Sequence, residues 1–270
     1  MKKIITHYSA WDIEARILVA LKEAGLDTEQ QISPMELAAL DHFHTGGFEA
    51  SLVLLELAQI QSEHRILDIG SGLAGPARML AAMSGCHVDC IDLSSDFCKA
   101  AVLLNRLTGL EDLIQIYRGS VPDSPFADNS FDVAWMQNVG MNIKDKQKFY
   151  TEIRRVLKPG GRFVFQEMIA GEEEPSYFPL PWTTDSSGHF LINADTMQQL
   201  LSECGFIEEY FEDVSESQFS SFKPGDHAQA NQTRLSLSIY VDDLATKGKN
   251  SQRSLLKEQI LFYRGVFTAV

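Results

Sequence analysis

The sequence predicts an α/β fold in which a parallel sheet is covered by helices on both faces. Three observations carry this expectation. From Arg65 onward, short β-branched or aromatic runs alternate with helical segments. The first such run ends on a carboxylate and a glycine turn, Leu67-Asp68-Ile69-Gly70-Ser71-Gly72-Leu73-Ala74-Gly75. Further on, Lys158-Pro159-Gly160-Gly161 stops a helix and feeds the next strand. Strands alternating with helices imply crossover connections and a sheet buried on both sides.

Taken in order, residues 1–58 read as an N-terminal helical cap and residues 59–270 as the core. Ile13, Ile17, Leu18 and Leu21 recur at helical spacing, and a further helix from about Phe48 carries Leu52, Leu55 and Leu57. The core then runs through strand Ile66 to Ile69, a helix from Pro76, strand Val88 to Ile91, a helix from Ser95, strand Leu113 to Tyr117, strand Phe131 to Met136, a helix from Lys144, and strand Arg162 to Ile169. Residues 171–193 form a long stretch with Pro175, Pro179 and Pro181 and the aromatics Tyr177, Phe178 and Trp182. An insert of that length in a compact domain covers or binds something, so it is expected to be a substrate lid. A helix from about Ala194 to Cys204 and a strand near Phe206 to Phe211 follow. Residues 215 to 230 are polar and irregular, and Gln259 to Thr268 alternates as a last strand.

Composition narrows the function classes. The 270 residues are 44% hydrophobic, ample for a buried core, and carry 23 Lys+Arg against 37 Asp+Glu for a formal charge of −14. Such a surface repels phosphate backbones, and no local basic patch offsets it, so nucleic acid and anionic membranes are disfavoured as partners. Cys86, Cys90, Cys98 and Cys204 have neither metal-finger spacing nor the density of a disulfide scaffold, and no metal site is expected. No apolar run has the length of a bilayer span, and Met1 to His7 lacks the apolar core of a signal peptide, so a cytoplasmic protein with reduced thiols is expected.

The glycine turn lets a nucleoside ligand approach bare backbone, and by itself suits a nicotinamide or flavin dinucleotide as well as any other. Asp68 separates the possibilities. Its negative charge is aimed where a dinucleotide would place an anionic pyrophosphate. S-adenosylmethionine brings an ammonium and a sulfonium there instead, and the carboxylate becomes attractive. In an open parallel sheet the ligand sits beyond the carboxyl ends of the strands. The second strand ends at Asp92, suited to the ribose hydroxyls. The third ends near Gly119-Ser120-Val121, where an adenine would lie, and the fourth at Gln137-Asn138, facing the reactive methyl.

Glycine turn, ribose acid, the segment Pro125 to Asp132 and Leu157-Lys158-Pro159-Gly160-Gly161 occur at one-per-strand spacing. With these the chain resembles the class I S-adenosylmethionine-dependent methyltransferases from about residue 40 to 212. Asp41 to Gly47, Trp135 to Ile143 and Pro181-Trp182 are similar to the small-molecule subgroup of sarcosine/dimethylglycine and phosphoethanolamine N-methyltransferases. The resemblance implies a Rossmann-like seven-stranded sheet with the last strand antiparallel and S-adenosyl-L-methionine as cofactor. It also implies that Phe43, Thr45 and Gly46 lie against the methionine end, Gly70 and Gly72 beneath it, Asp92 and Leu93 at the ribose, Ser120 and Val121 at the adenine, and Gln137 near the sulfonium. Two departures stand out. Gly119-Ser120 replaces the Gly-Asp common in the superfamily, and Asn142 stands where the phosphoethanolamine enzymes place a catalytic histidine.

Methyl transfer from a sulfonium is an in-line displacement that needs positioning and exclusion of water. An amine need only arrive deprotonated, whereas a hydroxyl needs a base within reach. The candidate catalytic residues are His44, Gln137, Asn142 and Glu167, with His42 and His189 as further possible bases. Tyr8, Trp11, Asn142, Phe178, Trp182 and His189 are candidate substrate contacts, and Tyr177, Phe178, Trp182, Tyr8 and Trp11 together would make an aromatic cage or the apolar underside of a lid. No unambiguous base emerges, which favours nitrogen over oxygen or carbon. The rival readings are a cofactor-binding protein of the same fold that does not methylate, either as a regulator or as a catalyst of rearrangement or cyclisation, and a nucleotide-dependent oxidoreductase, disfavoured by Asp68.

Overall fold

A computed structural model describes residues 12–217 and 235–270. Tyr8, Trp11 and most of the polar stretch 215 to 230 lie outside the described residues. The first three helices are α1 (Ile13–Glu23), α2 (Pro34–Asp41) and α3 (Gly47–Ala58). The core follows as β1 (Arg65–Ile69), α4 (Gly75–Ser84), β2 (His87–Asp92), α5 (Ser95–Leu107), β3 (Ile114–Arg118), β4 (Phe131–Gln137), α6 (Lys146–Val156), β5 (Leu157–Ala170), α7 (Ala194–Glu203), β6 (Phe206–Asp213), α8 (Leu244–Leu256) and β7 (Ile260–Ala269). Local polar chemistry marks many of the starts. The Ser94 hydroxyl caps α5 by accepting from Phe97 N–H at 3.3 Å, Asp145 caps α6 by accepting from Lys148 N–H, and Asn193 caps α7 by accepting from Thr196 N–H.

The seven strands lie in the order β3-β2-β1-β4-β5-β7-β6. The first five are parallel, and β7 runs antiparallel between β5 and β6, so the expected architecture holds. The order reverses between β1 and β4, which opens a crevice at their carboxyl ends.

Strand alternation divides the core in two. On one face Leu67, Ile69, Ala134, Met136, Phe163 and Phe165 pack with Phe149, Tyr150 and Ile153 of α6 and Met197 and Leu201 of α7. On the other, Ile66, Val133, Trp135 and Val164 pack with Leu54 of α3 and with Ala77, Leu80 and Ala81 of α4. A third cluster joins Ile13, Ile17 and Leu21 of α1 and Leu37 and Leu40 of α2 to Phe97 and Leu104 of α5 and to Tyr240 and Val241.

Several boundaries and faces differ from the expectation. Leu18 is exposed, and α3 buries Ala50, Ser51, Leu54 and Ala58, with Leu52, Leu55 and Leu57 only partly covered, because tertiary packing selects a narrower stripe than periodicity marks. Residues 157–161 already belong to β5, where Leu157 pairs with Phe131 and the register then shifts before Val133 meets Arg162. The segment 244–256, to which the sequence assigned no element, is a helix that buries Leu255 and Ser254. Cys86 lies just before β2, and all four cysteines are free thiols.

Candidate active site

The crevice at the switch point deepens into a cavity of about 1210 Å³. Phe43, His44, Thr45, Gly46, Asp68, Gly70, Gly72, Asp92, Leu93, Ser120, Val121, Gln137, Asn142 and Trp182 all line it. The sequence singled out each of these, and the fold brings them together.

At the glycine turn, Gly70 has φ +64°, and a Cβ there would sit 2.5 Å from Val139 Cγ2, so the bare backbone of this turn packs directly against the Val139 side chain in the loop after β4. Gly75 allows a second close approach, since its Cβ would fall 2.5 Å from the Asp41 carbonyl at the end of α2. Beneath the turn, fully buried Arg78 donates to Asp41 Oδ2 at 2.7 Å, Asn105 Oδ1 at 2.8 Å and the Leu73 carbonyl at 2.6 Å. Removal of either buried ionic partner would leave a naked charge, so this pair holds the turn in place.

Two carboxylates, half-buried Asp92 and buried Asp68, adjoin the turn. Asp92 accepts from Gly72 N–H at 2.9 Å and from Ser94 N–H at 2.8 Å, and its remaining lone pairs are directed to neither. Asp68 is 3% exposed, and its Oδ2 has no hydrogen-bond partner among the described residues. Burial and the neighbouring Asp92 push the Asp68 carboxyl up to about 8, against the opposing pull of Arg78. A buried carboxylate oxygen without a donor is a costly feature in a folded protein. Beside it Gly72 presents bare backbone, with no atom within 4 Å of where a Cβ would stand. These residues fit a ligand that carries an ammonium next to a nucleoside.

At the end of β4, hydrogen bonds tie His44, Ser51, Trp135 and Gln137 together. Trp135 Nε1–H and the Ser51 hydroxyl both donate to Gln137 Oε1, at 3.0 and 3.1 Å. With the Ser51 proton so placed, His44 Nε2–H donates to Ser51 Oγ at 3.1 Å, and Gln137 Nε2–H donates to His44 Nδ1 at 3.3 Å. This tautomer satisfies the three side-chain contacts and engages the Nδ1 lone pair, while the Thr45 carbonyl, 3.3 Å from Nδ1, would be met only by the other tautomer. Burial, reinforced by His42, lowers the His44 imidazole to about 3, so this ring is neutral and a poor proton acceptor. The loop that carries it is anchored to the sheet, because Gln166 Nε2–H donates to the Thr45 carbonyl at 2.8 Å and Arg264 donates to Gln166 Oε1.

Beyond Gln137 the chain makes a tight turn at Gly140–Asn142. Glu167, a candidate for chemistry, is instead folded into this turn. Its Oε2 accepts from Val139 N–H and Gly140 N–H, at 3.1 and 2.5 Å, and its Oε1 from Met168 N–H at 2.9 Å. It does not line the cavity. Burial raises it to about 7 although the amides oppose the shift. Lys146 closes the turn from the other side, donating to the carbonyls of Gly140, Ile143 and Phe190. Burial lowers its ammonium to about 8.

The insert 171–193 supplies Pro181 and Trp182 to the cavity wall. It is pinned by Phe190 N–H to the Met141 carbonyl at 2.8 Å, by Asn250 to the Pro179 carbonyl at 3.0 Å, and by Ser176 to Gln259. The expected aromatic cage does not form from its described members. Tyr177 lies under Arg253, whose guanidinium carbon is 4.0 Å from the ring centroid, and Phe178 packs 6.0 Å from His189. Neither Phe178 nor His189 reaches the cavity, because the side chain of His189 is buried in the lid and its Nε2 lies 3.5 Å from Glu174.

Sequence reasoning missed the wall opposite the strand ends. Met168 from β5, Leu235 to Ser238, and Leu244, Lys249, Ser251 and Gln252 from α8 complete the chamber. Leu244, Ser251 and Leu255 at helical spacing were the available signal, masked by the charges around them. Among the described residues no group of three or more His, Cys, Asp or Glu is placed to hold a metal, and no helix is long and apolar enough to cross a membrane.

Comparison with known proteins agrees with this geometry. Residues 67–165 match a family described as a methyltransferase domain. Over 113 residues the chain is 42% identical to the glycine/sarcosine/dimethylglycine N-methyltransferase of Actinopolyspora halophila, covering 42% of this chain and 20% of that protein. Over 119 residues it is 34% identical to 24-methylenesterol C-methyltransferase 2 of Arabidopsis thaliana, covering 44% of this chain and 33% of that one. The matched segments thus span less than two thirds of either relative. A solved structure of phosphoethanolamine N-methyltransferase 2 of Haemonchus contortus, in complex with phosphomonomethylethanolamine and S-adenosylhomocysteine, shares the fold with a TM-score of 0.73 at 18% identity, covering 100% of this chain and 60% of that one. The resemblance to the class I methyltransferases therefore holds, and the cofactor of that family is S-adenosylmethionine.

Proposed function

We propose that this chain transfers the methyl group of S-adenosylmethionine to a small-molecule acceptor, at nitrogen. The observation that carries the reading is the partnerless Asp68 Oδ2, buried beside the glycine turn. A cationic amino group of the donor would meet that oxygen, Gly70 and Gly72 would lie beneath, and Phe43, Thr45 and Gly46 would close on the methionine end. Asp92 and Leu93 would take the ribose and Ser120 and Val121 the adenine. When bound, the donor supplies an electrophilic methyl on a sulfonium. Gln137, held by Trp135 and Ser51, keeps the strand end rigid beside it. The described part of the cap, residues 12–58, and the lid 171–193 would exclude water.

Nitrogen is favoured because the other candidate bases are occupied and only His42, whose Nδ1 lies 2.8 Å from Asp41 Oδ1 and whose Nε2 has no partner among the described residues, remains in the lining as a possible proton acceptor. The free lone pair of His44 is used by Gln137, Glu167 is spent on backbone amides, and Asn142 can only orient. A carbon acceptor is the second reading, supported by the apolar side chains of Met141, Ile143 and Met168 in the lining. Calorimetry with S-adenosylhomocysteine, followed by transfer of labelled methyl across amines, phenols and carbon acids, tests both. Tight binding with transfer to an amine is expected. Binding with no transfer to any class would leave a cofactor-binding protein that does not methylate, and absence of binding would remove the donor site altogether.

A further inference from the structure

The two ends of the cavity differ in chemistry. Its carboxylates, Asp41, Asp68 and Asp92, all belong to the region of the glycine turn. Beyond Gln137 the lining passes to Met141, Ile143, Met168, Pro181, Trp182 and Leu244, interspersed with neutral polar side chains such as Asn142, Ser251 and Gln252. Among the described lining residues there is no arginine and no glutamate, and the single lysine, Lys249, is exposed on α8. At about 1210 Å³ the chamber exceeds the ~300–1,000 Å³ usual for one ligand, so a second sizeable occupant fits beside the donor.

A compact zwitterion or a phosphorylated amine entering that end would leave its carboxylate or phosphate without a buried cation. Desolvating such charges without partners is strongly unfavourable. An apolar body has the opposite balance, since each methylene buried against Met141 or Met168 is stabilising. The floor is also rigid, because Glu167 and Lys146 clamp the Gly140–Asn142 turn from both sides. The shape of this end is therefore maintained when it is filled.

Resting on the donor-site reading above, we propose that the acceptor has a bulky, largely apolar body, and that Met141, Ile143, Met168 and Trp182 select it over amino-acid-sized or phosphorylated amines. The acceptor nitrogen would enter last, at Gln137 and Asn142, with the apolar body under the lid and α8.

Titrating the full chain with butylamine, hexylamine, octylamine and decylamine, with and without saturating S-adenosylhomocysteine, tests this. Affinity should tighten about three- to fourfold per added methylene. Sarcosine and phosphoethanolamine should bind at least about a hundredfold more weakly than decylamine on the same scale. Ile143→Ser, at a half-buried wall position, should weaken decylamine about tenfold while leaving butylamine and S-adenosylhomocysteine nearly unchanged. A flat series, or methylation of sarcosine or phosphoethanolamine, overturns the proposal whatever the donor does. Retention of the slope in a protein that does not bind S-adenosylhomocysteine would overturn the donor site and leave the apolar chamber standing. The chain-length slope of the unsubstituted protein decides even where the variant fails to fold.

Discussion

The glycine-turn end and the lid end of the cavity are built on different principles. At the turn, each functional group sits at a strand terminus and is held by short-range bonds. Asp92 is fixed by the amides of Gly72 and Ser94, and the turn itself by the buried Arg78. At the lid end the wall is assembled from β5, the insert, residues 235–238 and α8, which are far apart in the chain and joined by a few bonds such as Asn250 to Pro179. The first end is polar, with a buried carboxyl oxygen that lacks a partner among the described residues. The second has no carboxylate and mixes apolar side chains such as Met141, Ile143, Met168 and Trp182 with neutral polar ones. A site of this kind can keep one donor while changing its acceptor, because the two are specified by separate segments.

The sharpest way to break the contrast is Gly70→Val. Its side chain would meet Val139 at a φ of +64°, where L side chains are strained, and S-adenosylhomocysteine affinity should fall about a hundredfold or more by calorimetry while the far-ultraviolet spectrum is retained. If affinity survives, the turn does not seat the donor. Asp68→Asn comes next, with an expected loss of about ten- to a hundredfold, the range of a charge-assisted hydrogen bond.

The same carboxylate gives a pH signature. Asp68 and Glu167 are raised by burial to about 8 and about 7, so the folded protein keeps protons that the unfolded chain has released. Stability from these groups is fully present below the ordinary carboxylate range and is lost as pH rises to about 8. Melting temperature of the free protein should therefore fall between pH 5 and 8, values chosen about that window. Affinity for the cationic ligand should rise over the same interval, and Asp68→Asn should flatten both trends.

Smaller effects sharpen the lid end. Glu167→Gln leaves backbone amides of the Gly140 turn short of an acceptor and should cost about 1–3 kcal/mol in denaturant titrations. Its kcat should drop by more than its donor affinity, because Glu167 is a positioning residue outside the cavity. Trp182→Phe is the mildest. The buried Nε1–H of Trp182 has no partner among the described residues, so its removal should change stability by less than about 1 kcal/mol. A large loss would show that the indole N–H is engaged in solution.

The legible part of the molecule follows the first end. The run at Ile66, the glycines after Asp68, Asp92 at the close of β2 and Gln137 at the close of β4 are each readable because strand, turn and helix-start signals are local. The misread parts follow the second. Glu167 reads as a strand-end acid available to substrate, yet three amide hydrogens from a turn nearly thirty residues away and from its own neighbour consume it. Phe178 and His189 read as lid aromatics facing inward, but they pack on each other. His44 reads as a possible base, and only the placement of Ser51 and Gln137 shows its lone pair occupied.

The sequence by itself determined the parallel sheet, the position of the crevice and the sign of the charge that awaits the donor, since periodicity and strand-end chemistry act over a few residues. Tertiary structure alone decided which carboxylate stays unpaired, which histidine loses its basicity and what lines the far wall. Those properties depend on burial and on partners from distant segments, and neither is encoded in any single stretch of chain.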